Sequence, residues 1–479
     1  MAPIESLVKA RLEKLAQIKK LKINPYPAQS DKKDTIAQSL KSPGIIVATA
    51  GRIMSIRSHG GLAFMDLVDE SGKIQLFFSF DKLSTISRQL INLLDIGDFI
   101  QAKGKVAKTQ AGQITIFVDS FKLLAKSIRP IPSSFYGLKD IETRLRKRYL
   151  DLIVSRKVHD LFVKKSHFWS AVRDFLIENS FLEVETPALE NIPGGADANP
   201  FVTHHQALDS DFYLRISLEL YQKRLLVGGF EKIFEIGKIF RNEGIDAEHL
   251  QDYLQMEFYW AYADFQDLIN FLEIYYRFIV QKTLGTTKSA FAKTILDWGK
   301  TWRIVDYCDA FKDETAIDIT KNPIIGDLLN LAQKVGAKPT KTMGKARLID
   351  AIYKKTIRPK LIQPSFLVNH PVLVSPLSKR SDKDPAKVER VQVLAAGTEV
   401  GNGWSELNDP LDQKERFLEQ QQLRKMGDLE AQMYDQDFVE ALEYGMPPAV
   451  GWGLSQRFFA VLVDKPIRET VFFPIVKGQ

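Results

Sequence analysis

Cysteine is the scarcest residue of this 479-residue chain, which holds a single copy, Cys308. One thiol cannot form an intramolecular disulfide, and it cannot build a cysteine-based zinc cluster. Both kinds of cross-link are therefore excluded, and a reducing compartment is favoured. Apolar residues make up 45% and charged residues 26%, which is typical of a globular protein with a sizeable core. The length predicts two or three domains.

Long apolar runs are missing as well. No uninterrupted apolar stretch is long enough to cross a bilayer. Residues 1–22 contain no run of the signal-peptide kind, and Glu5 and Glu13 are atypical of a transit peptide. The chain also lacks internal repeats and low-complexity segments. We therefore expect a soluble, cytoplasmic protein.

Acidic residues are slightly outnumbered, 59 against 66 basic ones, which gives a net charge of +7. The pI of about 9.0 is compatible with a polyanionic partner but does not require one. Six basic residues crowd one amphipathic segment near the amino terminus: Lys9, Arg11, Lys14, Lys19, Lys20 and Lys22. From charge alone, this face is equally compatible with binding a polyanion and with simple exposure to water.

Residues 1–43 are predicted to form a basic helix and an extension, because apolar residues recur at helical spacing before the Asn-Pro-Tyr-Pro stop at 24–27. Residues 44–126 change to short β-branched and aromatic runs separated by glycine turns. About five strands with a helical patch at 83–94 are the elements of an OB-fold, a small β-barrel that often binds oligonucleotides.

Arg52, Phe64 and Gln75, with Arg57, offer cations, a stacking ring and an amide on or near the predicted barrel face. That combination suits single-stranded nucleic acid. A barrel without a ligand is the alternative. Residues 127–149 are predicted to be a linker, and residues 150–479 an α+β domain. Its lysine-rich piece at about 285–364 is interpreted as a helical insertion.

The run FEIGKIFRNEG carries Arg241 and Glu243 two residues apart, on one side of an extended chain. An arginine at the end of a strand suits bidentate capture of a carboxylate or phosphate, although an Arg–Glu pair at a sheet rim is the simpler interpretation. In DYLQMEFYWAYADF, alternation puts Glu257 and Tyr259 on one strand face, opposite bulky apolar residues. An acid in such surroundings needs a cationic partner.

GWGLSQRFF has glycines that let a flat ligand approach the backbone, followed by Arg457 at the head of a predicted helix. A helix-capping loop is the alternative. In EVGNGWSELNDP, Glu399 and Glu406 lie seven residues apart, so a regular strand would point them to opposite faces. Asn402 and Glu406 would share a face. We expect the Gly-Asn-Gly at 401–403 to supply a bulge that turns Glu399 back towards the cleft.

Together these segments resemble the class II aminoacyl-tRNA synthetases, most closely the lysyl-tRNA synthetase family. FLEVETPAL resembles the first class motif, FEIGKIFRNEG with LQMEFYWAYAD the second, and GWGLSQRFFAVLVDKPIRETVFFP the third. The lysine-specific resemblance lies in IPGGADANPFVTHH, YLRISLELYQKRLLVGG and EVGNGWSELNDPLDQKERF. GRIMSIRSHG with LAFMDLVDESGKIQLF resembles the anticodon-binding barrel of the aspartate/asparagine/lysine subgroup. The resemblance runs from about residue 7 to the end, apart from the insertion.

The resemblance implies an amino-terminal OB-fold barrel followed by a class II catalytic domain, α+β, with an antiparallel sheet flanked by helices. It implies a homodimer with Pro187 at its interface. The implied reaction is activation of lysine with ATP and Mg²⁺ to lysyl-adenylate, then transfer to the 3′ end of tRNA(Lys).

It also implies roles for individual residues. The catalytic set is Arg241, Glu243 and Arg457. The ATP site adds His249, Tyr253, Glu399, Gly451 and Gly453. The lysine site is formed by Gly195, Glu219, Glu257, Tyr259, Asn402 and Glu406. Glu399, together with Gln392, is implied to bind magnesium. Arg52, Phe64 and Gln75 are assigned to anticodon binding.

Three departures from the family pattern stand out. Gln392 replaces a second metal-binding glutamate, which removes one charge and leaves the number of ions open. Glu248 reverses a charge in the loop after the second motif. Gln456 stands where an acid precedes the motif-three arginine, and that motif is a residue short; we expect this to be local variation.

Three rival functions stay open at this point. An aspartyl- or asparaginyl-tRNA synthetase would need a cation in its side-chain pocket, whereas this chain offers Glu257 and Glu406. A catalytically impaired, tRNA-binding or regulatory relative is favoured by the departures. It is opposed by four intact residues: Arg241, Glu243, Glu399 and Arg457. A relative that attaches lysine to a protein is disfavoured by the retained barrel.

Overall fold

The computed structural model describes residues 4–132, 138–244, 249–340, 343–426 and 431–476. The chain divides into two compact units. One comprises Met1–Lys139 with Tyr149–Ser155, and the other Asp140–Arg148 with Arg156–Gln479. Within the described ranges, no helix combines the length and apolar character needed to span a bilayer.

The first unit is built around a closed barrel with strand order β1-β2-β3-β5-β4. Its helices are α1 (Ile4–Lys20), α2 (Ile36–Leu40) and α3 (Thr85–Leu93). Its strands are β1 (Ile46–His59), β2 (Leu62–Asp69), β3 (Gly72–Ser79), β4 (Phe99–Lys108) and β5 (Ile114–Ala125). Because strand side chains alternate, Ala63, Met65 and Leu67 of β2 fill the barrel while Phe64 and Asp66 point outward. The predicted OB-fold is confirmed.

Beyond the barrel the chain continues with further helices and strands. The helices are α4 (Ile141–Arg146), α5 (Arg148–Val154), α6 (Arg156–Glu178), α7 (Glu219–Val227), α8 (Phe265–Leu284), α9 (Tyr307–Thr315), α10 (Ile325–Lys334), α11 (Lys345–Thr356), α12 (Pro410–Lys425), α13 (Gln436–Glu443) and α14 (Arg457–Leu462). The strands are β6 (Leu182–Glu183), β7 (Leu189–Glu190), β8 (Val202–His205), β9 (Ser210–Leu214), β10 (Lys232–Phe240), β11 (Asp252–Ala261), β12 (Lys288–Phe291), β13 (Thr294–Asp297), β14 (Arg303–Asp306), β15 (Ser365–Pro371), β16 (Lys387–Ala395), β17 (Thr398–Ser405) and β18 (Ala449–Ser455). One helix, α4, lies where the sequence predicted a linker at 127–149, and α5 begins at the end of that range.

A large sheet with strand order β14-β15-β16-β17-β18-β11-β10-β6 organises the second unit. Its pairs are antiparallel except at the two edges, β14 with β15 and β10 with β6. On one face, Met256, Phe258 and Trp452 join Phe168 of α6 and Tyr275 of α8 in a dry core. The alternation predicted for β11 is therefore confirmed, and the opposite face is left to carry polar groups.

The predicted helical character of the insertion at 285–364 is wrong for its first part. β12 and β13 form a hairpin there, and β14 pairs with β15 at the edge of the main sheet. Its lysines suggested a solvated helix, but β-branched Ile304 and Val305 suit a strand. Helices start only at α9, whose first turn is capped by the side chain of Asp306.

The bulge expected in the Gly-Asn-Gly is real but lies one residue earlier. Val393 pairs with Gly401 and Leu394 with Glu399, so Val400 is the extra residue of β17. Glu399 consequently joins the sheet face of Gln392 and Asn402. Gly401 is needed for another reason, because a Cβ there would overlap the Trp452 ring and the Tyr276 hydroxyl.

Candidate active site and nucleic-acid interface

A cavity of about 260 Å³ opens on the polar face of the main sheet. Its floor comes from β11, β17 and β18, and loops on either side complete it. Most of the site residues predicted from the sequence line it: Gly195, Glu219, Arg241, Tyr253, Glu257, Tyr259, Glu399, Asn402, Glu406, Gly451, Gly453 and Arg457. Residues distant in the sequence thus meet in one place.

Of the site residues predicted in the second unit, four do not line the cavity. Glu243 follows β10 and acts electrostatically on Arg241, and Gln392 contacts the cavity-lining Glu399. His249 comes just after residues 245–248, and Glu248 lies outside the described residues. Pro187 is exposed in the first-motif segment, near the exposed apolar side chains of Leu182 and Leu189.

Glu257 is held at one end of the cavity by four neutral donors. Its Oε1 accepts hydrogen bonds from the Ser217 hydroxyl (2.9 Å), the Leu218 amide (3.2 Å) and the Gln255 side chain. Its Oε2 accepts from the Tyr259 hydroxyl at 3.0 Å. Burial, with the Glu257 charge adding to it, raises the pKa of Tyr259, so the phenol stays a donor.

Glu406 and Glu219 share a cation that the sequence did not reveal. The Lys223 ammonium, which is fully buried, lies 2.5 Å from Glu219 Oε1 and also forms an ion pair with Glu406 Oε2. Trp404 Nε1 donates to the same Glu406 oxygen at 3.0 Å. Burial raises the pKa of Glu219 to about 8 and that of Glu406 to about 7, with Lys223 opposing both shifts. The only sequence signal for this ion pair was that Lys223 follows Glu219 by four residues, a spacing that brings side chains together on a helix.

Arg241 and Arg457 give the cavity its positive side. Arg241 directly follows β10, and its Nε donates to the Ile216 carbonyl at 3.3 Å. Desolvation lowers the pKa of this guanidinium, but Tyr253, Glu243 and other acidic groups outweigh it, so the net shift is upward. Arg457 opens α14, as predicted, with its amide bonded to Ser455 Oγ. Two permanent cations thus face a space bounded elsewhere by carboxylates.

Arg390 is a further lining residue that the sequence analysis missed. Its Nε donates to Asn402 Oδ1 at 3.0 Å, and another guanidinium nitrogen bonds the Val374 carbonyl. The Asn402 amide is thereby oriented. Arg390 and Gln392 lie two residues apart on β16, so their side chains point to the same face of the sheet. That spacing was the sequence signal that could have placed Arg390 beside Gln392.

Glu399 and Gln392 are hydrogen-bonded to each other, with Gln392 Nε2 donating to Glu399 Oε2 at 2.6 Å. Among the described residues no group of three or more His, Cys, Asp or Glu side chains is arranged to hold an ion. Magnesium, however, commonly binds through one or two carboxylates together with substrate phosphates. The donor set therefore fits an ion that arrives with a nucleotide, with Glu399 as its protein ligand.

The barrel carries a row of aromatic rings across three strands. Phe77 lies 5.2 Å from Phe64 and 5.0 Å from Phe117, centroid to centroid, and all three are half-buried on the outer face. One row further, the predicted Gln75 accepts a hydrogen bond from Thr115 Oγ1 at 3.1 Å. Phe64 and Gln75 are therefore brought together as neighbours.

Arg52 does not join that row. It pairs with Val68 on β2, four residues along from Phe64, which is roughly 13 Å for an extended strand. Its guanidinium lies 4.2 Å from the Phe99 ring centroid and donates to the Gly97 carbonyl. Desolvation lowers its pKa there. The side chain that faces Phe64 across β1 is Arg57.

Comparison with known proteins matches both units to families. Residues 140–477 match the tRNA synthetases class II (D, K and N), and residues 47–124 match the OB-fold nucleic acid binding domain. The chain is 42% identical to the lysine–tRNA ligase of Carboxydothermus hydrogenoformans, over 99% of each chain. It is 42% identical to that of Moorella thermoacetica, over 99% of this chain and 98% of the relative, and 43% identical to that of Roseiflexus castenholzii, over 99% of each. The chain belongs to the class II tRNA synthetases of the D, K and N type.

Proposed function

We propose that this protein is a lysine–tRNA ligase, which converts lysine and ATP to lysyl-adenylate and pyrophosphate and then esterifies tRNA(Lys). The observation that carries the proposal is the cavity itself, where buried Glu219, Glu257 and Glu406 face Arg241 and Arg457. A pocket with this excess of carboxylates suits a substrate side chain that ends in an ammonium group. Aspartate or asparagine would place a carboxylate or an amide there instead.

Adenylation requires alignment more than protein chemistry. A lysine carboxylate oxygen attacks the α-phosphorus of ATP, a P–O bond forms, and the bond to pyrophosphate breaks. No protein nucleophile is needed, so the task is to hold the two reactants and offset their negative charge. We assign Arg241 to the carboxylate and α-phosphate and Arg457 to the γ-phosphate.

The remaining nucleotide roles follow the same division. Tyr253, with Glu243 and His249, is assigned to the adenine side, and Gly453 to the adenosine slot. Gly451, although predicted for the ATP site, lies against Glu406 and Tyr259 and is assigned to the lysine end. Magnesium bound at Glu399 would offset charge on the phosphates. Gln392 keeps the Glu399 carboxylate oriented through its hydrogen bond.

Lysine selectivity is assigned to the acidic end of the cavity. Glu406 Oε1 is buried and accepts no hydrogen bond from the described residues, while its Oε2 is bound by Lys223 and Trp404. That free oxygen is the natural acceptor for the substrate ε-ammonium, next to Glu257 and Tyr259. A substrate lacking the ammonium would leave Glu406 Oε1 buried without a hydrogen bond, which carries a desolvation penalty.

The barrel supports tRNA as the second substrate. Half-buried rings beside a side-chain amide are suited to unpaired bases, so we assign Phe64, Phe77 and Gln75 to the anticodon. We further propose a cytoplasmic homodimer. The exposed apolar segment around Pro187 supports the dimer, because large exposed apolar side chains favour an interface.

Amino-acid-dependent exchange of pyrophosphate into ATP tests the proposal. We expect exchange with lysine and none with aspartate or asparagine. Exchange with aspartate or asparagine but not lysine would contradict it. Calorimetric titration with ATP and lysine adds a second measure, since tRNA binding without nucleotide binding would indicate a catalytically impaired relative.

A further inference from the structure

Lys223 is a buried cation that touches the cavity only through other residues. It lies on α7, its side chain has no exposed area, and it does not line the cavity. Its ammonium contacts Glu219 on its own helix and Glu406 beyond β17, both of which do line the cavity. The family resemblance implies that Glu219 meets the backbone end of substrate lysine, and Glu406 is assigned to its side chain. Lys223 therefore connects the two carboxylates.

The number of charges here exceeds what a structural ion pair requires. A buried lysine is compensated by one carboxylate, and a second buried carboxylate without a partner is costly. Lys223 faces two, and Glu257 stands as a third beside them. When all three carboxylates are ionised, they outnumber the Lys223 ammonium by two charges. Lysine carries two ammonium groups, and its carboxylate is assigned to Arg241.

The orientation of the Glu406 carboxylate is fixed by two contacts to one of its oxygens. Lys223 and Trp404 both bind Glu406 Oε2, so the carboxylate cannot rotate freely. Its Oε1 is left buried, without a hydrogen bond from the described residues, beside Gly451. A buried carboxylate oxygen without a hydrogen bond carries the full desolvation penalty, so a substrate group that donates a hydrogen bond to it would bind favourably. The contact with Lys223 decides which oxygen that is.

We propose that Lys223 is a positioning residue for substrate lysine, which favours the ionised forms of Glu219 and Glu406 and presents Glu406 Oε1 to the substrate ε-ammonium. The inference rests on the proposed function and deepens it. Without the Lys223 charge, which lowers the pKa of both Glu219 and Glu406, the acidic socket formed by Glu219, Glu257 and Glu406 would hold a proton more tightly. That proton would have to leave before the ammonium groups of lysine could bind.

The titratable groups around Lys223 come from several elements. Those that act on it or on its partners are Glu219 on α7, Glu257 and Tyr259 on β11, and Glu406 after β17. A neighbouring set involves Glu190 on β7 with Arg215, Arg224 and Asp435. Arg224 pairs with Asp435 at 2.9 Å and not with the socket, which makes it a matched control on the same helix.

Lys223→Met, which keeps length and removes charge, is the main test, measured by pyrophosphate exchange. We expect the KM for lysine to rise about 10- to 100-fold, because each unit by which a carboxylate pKa exceeds the working pH costs tenfold in the competent form. The KM for ATP should change by less than about threefold on the same reasoning. The rising limb of kcat/KM for lysine against pH should move to higher pH.

Calorimetry of lysine binding in two buffers of different ionisation enthalpy provides a readout that a structural role would not move. Lys223→Met should release more protons than wild type on binding lysine, because loss of the Lys223 charge raises the pKa values of Glu219 and Glu406 further. Lys223→Arg retains the charge and should restore the wild-type pH limb. Arg224→Met should leave the limb in place. If the methionine variant does not fold, Lys223→Gln, which is also uncharged, replaces it.

Two outcomes would overturn the proposal. One is a wild-type lysine KM and pH limb in the uncharged variant. The other is an equal loss for lysine and ATP with the limb unmoved, which would mark Lys223 as structural. A wild-type protein without lysine-dependent exchange would instead contradict the proposed function, so the two failures are distinguishable.

Discussion

Gly451→Ala places a single methyl group against the acidic end of the cavity. A Cβ on Gly451 would lie 2.1 Å from Glu406 Oε1 and 2.6 Å from Cε1 of Tyr259. Ordinary contact begins near about 3.4 Å, so Oε1 would have to move by roughly 1.3 Å. It cannot swing aside, because Lys223 and Trp404 hold the other oxygen. The methyl group therefore displaces the acceptor assigned to the substrate ammonium.

Overpacking and the weakened charged hydrogen bond together cost about 2–3 kcal/mol. We expect kcat/KM for lysine to fall about 30- to 150-fold in pyrophosphate exchange, since 1.36 kcal/mol is tenfold. The KM for ATP should change by less than about threefold, because the methyl group points at the amino-acid end. Thermal unfolding of the variant checks that the loss is not a loss of fold.

Gly453→Ala is the comparison on the same strand. There a Cβ would meet only Asn402 O at 3.6 Å and Glu257 Cγ at 3.7 Å, which are ordinary contacts. We expect its lysine KM to stay within about threefold of wild type. Wild-type lysine kinetics in Gly451→Ala, or equal losses in the two variants, would refute the placement of the ammonium site against Gly451.

Three further predictions address selectivity, tRNA and pH. Glu406→Gln should lose discrimination against ornithine and norleucine in pyrophosphate exchange while ATP binding persists, because the amide removes the charge that rewards the ammonium; unchanged discrimination would contradict the socket. Phe77→Ala should raise the KM for tRNA in aminoacylation roughly tenfold, from the loss of a stacking ring, with pyrophosphate exchange as its unaffected control. Burial raises the pKa of Glu190 from 4.5 to about 8, with Arg215 opposing, so the native state holds a proton that the unfolded chain has released. Wild-type stability should therefore fall between about pH 5 and 8 relative to Glu190→Gln, and a pH-independent difference in Tm would refute this.

Local patterns predicted much of the site. The side chains of Glu257 and Tyr259 share a face because strand alternation is a property of a few consecutive residues. Arg457 begins α14 where the glycine-containing strand ends. The aromatic and amide residues of the barrel, Phe64 and Gln75, were found by composition and are neighbours in the structure.

Other features depend on partners far away in the sequence. The bulge at Val400 is set by register with β16, which no property of the glycines determines. Phe117 joins the aromatic row only because β3 and β5 pair in parallel. Lys223 meets Glu406 through the packing of α7 beside the sheet, and a buried lysine in a helix gives no pattern of its own. Arg52 was chosen by residue type, which does not say where along the barrel it falls.

The order in which the strands of the main sheet leave the ribosome affects how the nascent chain folds. β18 lies between β17 and β11 in the middle of the sheet, although among the strands of the described residues it is synthesised last. Until β18 emerges, β11 and β17 each keep an unpaired edge. Arg241 and Arg457 cannot yet line the same cavity, because Arg457 follows β18 in the chain. The barrel, by contrast, is complete once β5 has left the ribosome, and domains generally fold as they emerge. A nascent chain would therefore present a finished barrel long before it had a working cavity, and its open sheet edges would be the segment to shield from aggregation.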